Sequence, residues 1–157
     1  MAKQSAGILL YRRAGEGVEL LIAHMGGPLW SRKDEHAWSI PKGEPNPGEE
    51  LLDAARREFA EELGLPVPDL EFTELGQARQ SNGKVVTIWA GEADLDVSTI
   101  DPGTFPMEWP PRSGRTVQFP EVDRAEWVVP DVARTKLVKG QVVFVDRLLD
   151  RLSVGGA

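Results

Sequence analysis

The chain has 157 residues, a length that fits one globular domain of ordinary size and argues against a two-domain enzyme. Its 18 Lys and Arg residues against 25 Asp and Glu residues give a formal net charge of −7, which argues against a general nucleic-acid-binding surface. The chain contains no cysteine, which excludes disulfides, thiolate catalysis and zinc sites built on sulfur.

The N-terminus shows no apolar segment followed by a cleavage site, and no apolar run approaches the length of a membrane-spanning helix. We therefore expect a cytoplasmic protein that does not bind a membrane. Charged residues make up 27% of the chain and apolar residues 41%, a balance that is typical of a folded domain and excludes wholesale disorder.

Two short β-prone segments, 6–12 and 18–24, open the chain, and the turn-forming residues 14–17 between them predict a β-hairpin. A further short strand is expected at 38–40, where Pro41 ends it. The next segment, 42–48, contains two prolines and two glycines, so we expect a loop there.

The segment 49–63 predicts a helix, because it lacks glycine and proline and its apolar residues recur at spacings of 3 and 4. Asn46 and Pro47 are candidates for its cap and its first turn, and Gly64 is the candidate for its end. The apolar stripe consists of Leu52, Ala55, Phe59 and Leu63.

Two more strands are predicted at 70–77 and 84–93, joined by the Asn-Gly turn signal within 81–83. The segment 101–115 contains four prolines and two glycines, so we expect a long loop. Loops of that length in compact domains are commonly functional or mobile.

The end of the chain predicts two strands, 117–119 and 125–129, followed by a helical region that begins at Pro130 and runs to Leu152 with a break at Gly140. Strands and helices therefore alternate along the whole sequence. This order indicates a layered α/β or α+β domain with a mixed sheet.

Three glutamates of the predicted helix are candidates for metal binding. At about 100° per residue, Glu58, Glu61 and Glu62 fall in one sector beside the apolar stripe. Like charges at these spacings destabilise a helix unless a cation lies nearby, and clustered carboxylates are the hard ligands that Mg²⁺ or Mn²⁺ prefers. The alternative is a solvated acidic face that pairs with Arg56 and Arg57.

The residues around these glutamates favour the metal site. Gly43 is followed after five residues by Glu49 and after seven more by Arg57-Glu58-Phe59, with Glu61-Glu62 and Gly64-Leu65 after one further residue each. This pattern resembles the complete Nudix box of the Nudix hydrolases, from Gly43 to Leu65. The resemblance implies an α/β fold, a Nudix-type α/β/α sandwich with a central mixed β-sheet, and one domain of this kind over residues 1–157.

The resemblance also implies roles for the residues of the box. By motif position, Glu58, Glu61 and Glu62 are expected to be catalytic and to bind Mg²⁺, with Mn²⁺ as a substitute, and the carbonyl of Gly43 is a further ligand candidate. Such a metal bridges phosphate oxygens and lowers the pKa of its bound water. We group Arg57 with the catalytic residues because the resemblance implies that it supports the site by pairing with Glu49.

Two residues outside the box are further candidates. Lys42 precedes the box directly and is a candidate phosphate contact, with a plain solvated lysine as the alternative. Many Nudix relatives carry an acidic residue before a late strand that begins near an aromatic, and Glu121, six residues before Trp127, has that spacing. We expect Glu121 to be a supplementary metal ligand, with Asp123 or ordinary loop acidity as the alternatives.

The proline-rich segment 101–115 combines an aromatic side chain, Trp109, with the cations Arg112 and Arg115, so these two arginines are candidates for substrate binding. The alternative is a surface loop whose Trp109 packs into the core. His24 and His36 lack the spacing of a metal-binding pair.

The resemblance implies a metal-dependent pyrophosphohydrolase that cleaves a phosphoanhydride bond in a nucleoside diphosphate linked to another group. Whole-chain similarity favours a nucleoside triphosphate or a dinucleoside polyphosphate as the substrate, and thus a small-molecule nucleotide partner and no nucleic acid. The alternatives are an ADP-ribose or nucleotide-sugar pyrophosphatase and a noncatalytic nucleotide-sensing module of the same fold. RNA decapping is disfavoured by the net charge of −7.

Overall fold

The structure is a computed structural model that describes residues 3–155. Its elements follow the chain in this order: β1 (Gln4–Ala14), β2 (Gly17–Met25), β3 (Trp38–Ser39), β4 (Lys42–Gly43), α1 (Leu51–Leu63), β5 (Thr73–Arg79), β6 (Val85–Glu92), β7 (Thr104–Glu108), β8 (Thr116–Pro120), β9 (Val122–Val128), α2 (Pro130–Lys136) and α3 (Val143–Gly155). Strands β7 and β8 form a separate two-stranded ribbon, and the other strands form one sheet.

The large sheet is mixed, as predicted. Its centre is β1, which runs parallel to β6 on one side and antiparallel to β2 and β4 on the other. Strand β2 continues the sheet to β3 and β9, and β5 closes the opposite edge against β6. The two predicted hairpins are confirmed, because β1 pairs with β2 and β5 pairs with β6 in antiparallel register.

The sheet is buried on both faces, which makes the fold a three-layer sandwich. Along β1, Ile8 packs towards the cluster that contains Phe59 of α1, whereas Leu9 packs towards the cluster that contains Phe144 of α3. Alternate residues of a strand point to opposite faces, so one apolar strand supplies both cores. The predicted arrangement of the box helix on one side and the C-terminal helices on the other is therefore confirmed.

The box helix begins two residues later than predicted, at Leu51. Asn46 and Pro47 do not cap it, because the N-cap is Glu50, which makes no side-chain cap hydrogen bond. The carboxylate of Glu49 accepts a hydrogen bond from the Asn46 backbone N–H at 2.9 Å, so both residues belong to the preceding loop. The buried stripe is Ala54, Ala55, Phe59 and Leu63, with Leu52 only half-buried.

The end of the box helix agrees with the prediction. Gly64 takes the left-handed conformation with φ of 70°, and its N–H donates to the Ala60 carbonyl at 2.8 Å. Glycine is favoured at this position because a β-carbon makes the left-handed conformation costly.

The expected loop 42–48 is only partly irregular. Its first two residues, Lys42 and Gly43, form β4 and pair with Gly7 and Ala6 of β1. The two prolines and two glycines of the segment predicted a loop. That prediction is correct for the residues after Gly43 but not for Lys42 and Gly43 themselves. The pairing with β1 fixes the start of the box against the centre of the sheet.

The prediction of a long loop over 101–115 was wrong. Residues Thr104–Glu108 form β7, which pairs in register with β8, so that Pro106 lies opposite Gln118. Proline is tolerated here because a two-stranded ribbon leaves one edge of each strand unpaired, and a missing backbone N–H is harmless at such an edge.

The C-terminal region follows the prediction. Pro130 occupies the first turn of α2, a 3-10 turn at Lys139–Gln141 contains the expected break at Gly140, and α3 follows. None of the helices described over residues 3–155 is long and apolar enough to cross a membrane.

Candidate active site

A cleft of about 380 Å³ opens where α1, the end of β2 and the start of β9 meet. One group of its lining residues is charged: Lys42, Glu58, Glu62 and Glu121. The other lining residues are apolar, aromatic or small: Ala23, Met25, Gly26, Trp30, Ser39, Phe105 and Val122. The fold therefore brings four of the predicted site residues into one cavity, although Glu121 lies 59 residues or more beyond the other three in the sequence.

Arg57 is the cation that holds the box together. Its guanidinium donates to both carboxylate oxygens of Glu49 at 2.9 and 3.0 Å, and its Nη1 donates to Glu58 at 2.9 Å and to Glu61 at 3.2 Å. Its Nη2 also donates to the backbone carbonyl of Glu44 at 3.0 Å. These bonds raise the pKa of Arg57, with the hydrogen bond to Glu49 as the largest cause. The helix and the loop before it are thus joined through one side chain.

Glu58 lies against Gly43 and points into the cleft. Burial raises the pKa of its carboxyl, the hydrogen bond from Arg57 lowers it, and the negative charges of Glu61 and Glu49 raise it again. Burial outweighs the arginine, so the net shift of the Glu58 pKa is upward.

Glu62 is the most strongly perturbed acid of the cleft. Burial raises its pKa to about 8, and the charges of Glu121 and Glu58 act in the same direction. Lys42 opposes the shift through its ammonium charge and through a backbone hydrogen bond. Carboxylates that repel one another in a partly buried site bind either a proton or a cation.

Backbone hydrogen bonds hold Glu121 beside the cleft. Its N–H donates to the Gly103 carbonyl at 2.8 Å, and the Gly103 N–H donates to the Glu61 carbonyl in the last turn of α1 at 3.1 Å. On the other side, the Gly26 N–H donates to the Glu121 carbonyl at 3.0 Å. Burial raises the pKa of the Glu121 carboxyl, and Glu58 and Glu61 add to the shift.

Asp123, the alternative to Glu121, does not line the cleft. Its carboxylate oxygens lie 2.9 and 3.0 Å from Nδ1 of His24, which is fully buried. The Nε2 of the same ring donates to the Lys33 carbonyl at 2.6 Å, and the ring packs edge-on against the buried Trp38. The His24 ring therefore joins Asp123 of β9 to the loop after β2 through its two nitrogens.

The other predicted site residues lie outside the cleft lining. Glu61 is exposed and turns towards Arg57, while its backbone carbonyl holds Gly103. Arg112 and Arg115 are exposed at the tip of the β7–β8 ribbon, where the Arg112 N–H donates to the Glu108 carboxylate at 2.8 Å. Their predicted contact with substrate therefore requires a substrate that extends beyond the cleft.

Trp30 and Phe105 are cleft residues that the sequence did not point to. Trp30 lies in the loop between β2 and β3, and Phe105 lies in β7, within the segment 101–115 that was predicted to be a loop. Single aromatics carry no periodic signal, so the sequence could not place them beside the box.

The chemistry of the cleft fits a divalent cation. Among residues 3–155, no three acidic or histidine side chains are grouped closely enough to form a coordination cluster, and Arg57 pairs with Glu58 and Glu61. Glu58, Glu62 and Glu121 nevertheless share the cleft with raised pKa values and with Lys42 as the cation among its lining residues. Hard carboxylate oxygens in this number are the ligands that Mg²⁺ and Mn²⁺ prefer.

Comparison with known proteins places these features in context. Residues 1–148 match the family described as the NUDIX domain. The chain is 32% identical over 74 residues to the Caenorhabditis elegans bis(5'-nucleosyl)-tetraphosphatase (asymmetrical), a match that covers 47% of this chain and 49% of that protein. The chain thus spans about half the length of that relative. It is also 44% identical over 54 residues to the RNA pyrophosphohydrolase of Serratia proteamaculans, across 34% of this chain and 31% of that protein.

The fold matches solved structures over nearly the whole chain. The crystal structure of a C. elegans Ap4A hydrolase binary complex superposes with a TM-score of 0.69 and 19% identity, covering 96% of this chain and 98% of the other. At that identity the superposition establishes the shared architecture.

Proposed function

The chain belongs to the NUDIX family, and from this premise we propose that it is a metal-dependent pyrophosphohydrolase. Its reaction is the attack of water on a phosphorus atom, which breaks a phosphoanhydride bond in a nucleoside diphosphate linked to another group. Nudix hydrolases generally use divalent metal ions. We propose Mg²⁺ for this chain, with Mn²⁺ as a substitute. The observation that carries the proposal is the gathering of Glu58, Glu62 and Glu121 together with Lys42 in one cleft.

The first group of residues binds the metal. Glu58, Glu62 and Glu121 hold the cation, assisted by the carbonyl of Gly43. When bound, the cation neutralises phosphate charge and lowers the pKa of water.

The side chains outside this ligand set act on the substrate and on the box. The Lys42 ammonium contacts the phosphate chain and stabilises the negative charge that develops in the transition state. Arg57 and Glu49 keep the loop and the helix in place around the ligands, and Glu61 pairs with Arg57 on the solvent side and supplements the metal site. Water attack releases a proton, which one carboxylate of the site accepts.

We propose a nucleoside triphosphate or a dinucleoside polyphosphate as the substrate. The similarity to the C. elegans tetraphosphatase supports this class. The net charge of −7 disfavours a long RNA, which gains its affinity from phosphate contacts with clustered Lys and Arg. A noncatalytic sensing role is disfavoured because the expected metal-binding carboxylates Glu58, Glu61 and Glu62 are all present.

The first experiment is a substrate panel. The purified protein is incubated with nucleoside triphosphates, dinucleoside polyphosphates, ADP-ribose, nucleotide sugars and 5'-triphosphorylated RNA, each with Mg²⁺ or with EDTA. We expect the protein to hydrolyse the nucleoside triphosphates and the dinucleoside polyphosphates in Mg²⁺ and to hydrolyse nothing in EDTA. Turnover of none of these compounds, together with tight nucleotide binding, would establish the sensing role instead.

The second experiment tests the metal site itself. Glu62→Gln keeps the shape of the side chain and removes its charge, so we expect kcat to fall by orders of magnitude across a Mg²⁺ titration. Asp53→Asn is the matched control, because Asp53 is an exposed carboxylate in the first turn of the same helix. Equal activity of the two variants would show that Glu62 is not a metal ligand.

A further inference from the structure

A second cavity, of about 600 Å³, opens between α3 and the strands β1, β5 and β6. We call it the α3 cavity. None of the residues that line it also lines the cleft beside the box, so the proposed hydrolysis makes no use of it. Its volume lies in the range that is typical of small-molecule sites.

The floor of the α3 cavity is apolar, and it is open because two neighbouring side chains are short. Thr73 of β5 and Ala90 of β6 pair in register, and both line the cavity. The buried side chains of Leu75 and Leu148 lie beside them, and the half-buried Leu152 closes the α3 side. Protein interiors leave few voids larger than a water molecule. The short side chains at 73 and 90 therefore leave room for an apolar group from outside the chain.

Two arginines, Arg13 of β1 and Arg151 of α3, supply the charge of the α3 cavity. None of the lining residues that the structure describes is acidic, although the whole chain carries 25 acidic residues against 18 Lys and Arg residues. A guanidinium binds a carboxylate or a phosphate through two parallel N–H donors. The cavity is thus complementary in charge to an anion.

The contacts that the structure gives these two arginines are long. Arg13 Nε lies 3.7 Å from the Glu92 carboxylate, and both side chains are at least half exposed. Arg151 Nη2 donates to the Glu74 carbonyl at 3.3 Å. In contrast, Arg147 of the same helix donates to two backbone carbonyls of β5 at 2.7 and 3.1 Å. A guanidinium has five N–H donors, so Arg13 and Arg151 retain donors for a ligand.

Tyr11 adds a neutral donor to the same cavity. Burial raises the pKa of its hydroxyl, the charge of Glu92 raises it further, and Arg13 opposes the shift. The phenol therefore keeps its proton at neutral pH and is able to donate a hydrogen bond to an anion.

From this combination of an apolar floor and a cationic edge, we propose that the α3 cavity is a second binding site, for a small organic anion with one carboxylate or phosphate group on an apolar body. The anionic group pairs with Arg13 and Arg151, and the apolar body lies on Ala90 and Leu148. A nucleoside polyphosphate carries most of its atoms in polar groups, so the ligand of this site differs in class from the substrate proposed for the cleft.

The test uses Tyr11, which is the only tyrosine of the chain. Labelling with 3-fluorotyrosine therefore gives one fluorine NMR resonance, and this resonance reports on the α3 cavity. The labelled protein is titrated in EDTA with octanoate, octyl phosphate, octanol and butyrate. We expect octanoate and octyl phosphate to shift the resonance, and the ratio of their Kd values identifies the preferred anionic group. Octanol lacks the charge and butyrate lacks four methylenes, so each should bind roughly 10-fold more weakly than octanoate, or worse.

Charge variants test the edge of the cavity. Arg13→Gln and Arg151→Gln should each raise the Kd of octanoate roughly 5- to 10-fold. Glu92→Gln should lower this Kd about twofold or more, because it removes a negative charge that competes for Arg13. Arg79→Gln is the matched control, since Arg79 is an exposed arginine at the end of β5, loses the same charge and does not line the cavity. It should bind octanoate as the wild type does.

A larger side chain on the floor tests the apolar part. Ala90→Leu fills the space over the sheet and should abolish the shift that octanoate causes. Thr73→Phe serves if Ala90→Leu fails to fold, because Thr73 is exposed on an edge strand where an aromatic residue is favoured.

Three results would overturn the site: no shift of the Tyr11 resonance with either anion at millimolar concentration, equal Kd values for octanoate and octanol, or wild-type affinity in both arginine variants. The titration contains neither metal nor nucleotide. Its outcome is therefore independent of whether the protein hydrolyses the nucleotides of the substrate panel.

Discussion

The carboxylate of Glu58 lies directly over the α-carbon of Gly43, where a β-carbon would come within 2.0 Å of Glu58 Cδ. No side chain other than the hydrogen of glycine fits between β4 and this carboxylate. The first residue of the box is therefore small because a later residue of the box occupies its space.

We predict that Gly43→Ala separates activity from stability. The blocking atoms belong to the end of a flexible side chain, so the free energy of unfolding should change by about 1 kcal/mol or less. Glu58 must move out of its place, and a displacement of that size should lower kcat/KM roughly 100-fold. Gly17→Ala is the control, because no heavy atom lies within 4 Å of its β-carbon. Full activity of Gly43→Ala would show that the position of Glu58 is unimportant.

We predict that the metal-free protein loses stability as the pH rises through the neutral range. The pKa of Glu62 is raised from 4.5 to about 8, so between these values the folded state binds a proton that the unfolded state has released. The contribution of Glu62 to the free energy of unfolding is then largest below pH 4.5 and falls as the pH approaches 8, with a slope of at most about 1.4 kcal/mol per pH unit.

The measurement is urea unfolding in EDTA at several pH values, for the wild type and for Glu62→Gln. Other groups titrate in both proteins, so the difference between the two isolates Glu62. As the pH rises from 4.5 to 8, the free energy of unfolding of Glu62→Gln should increase relative to that of the wild type. A constant difference over this range would contradict the raised pKa.

We predict that Gln141 supports the cleft from the opposite face of the sheet. This fully buried side chain accepts the Ile40 N–H at 2.8 Å and donates to the Ser39 hydroxyl at 3.0 Å, in the segment that leads to Lys42. Gln141→Leu leaves the Ile40 N–H without a partner and should destabilise the fold by about 1–3 kcal/mol.

Urea unfolding and the KM for a nucleotide test this role. Because Ser39 lines the cleft, KM should rise in Gln141→Leu even at temperatures where the protein is fully folded. Gln80→Leu is the control, since Gln80 donates to the Gly140 carbonyl of the same turn, whereas the side-chain hydrogen bond to Ser39 comes from Gln141. An unchanged KM in Gln141→Leu would limit its role to stability.

We predict that Arg57→Gln destabilises the protein by roughly 1–3 kcal/mol, because it leaves Glu49, Glu58 and Glu61 without their shared cation. Saturating Mg²⁺ should restore part of this loss by neutralising the glutamates. Thermal unfolding with and without Mg²⁺ measures both effects. Arg56→Gln should change stability by less than about 0.5 kcal/mol, because Arg56 makes only long contacts, with the exposed Asp69 at 4.0 Å and with the Phe72 ring at 5.9 Å. Equal losses in the two variants would refute the special role of Arg57.

The sequence predicted the elements whose signals are local. The period of α1, its end at Gly64 and the two hairpins needed only neighbouring residues, and all of them appear in the structure. The predicted start of α1 was two residues too early, because Glu49 lies in the preceding loop. Its carboxylate accepts hydrogen bonds from the Asn46 N–H and from Arg57.

The sequence failed where distant residues decide the outcome. Strand β7 was hidden by prolines that an edge strand tolerates, whereas its partner β8 was predicted as a strand at 117–119. The pairing with β8 is what makes 104–108 extended. Gln141 and Ile40 are 101 residues apart, so no spacing rule could pair them. The box glutamates were identified by resemblance to a family, whereas Trp30 and Phe105 required the structure.

The β7–β8 ribbon leaves the fold at Gly103 and returns at Glu121, and these two residues are joined by one hydrogen bond. Between ends that are already fixed, doubling the chain length costs only about 0.6 kcal/mol of closure entropy. The ribbon, with Phe105, can therefore be lengthened, shortened or replaced at a small cost in closure entropy. Such changes would alter the lining of the cleft at Phe105 and leave the residues of the box in place.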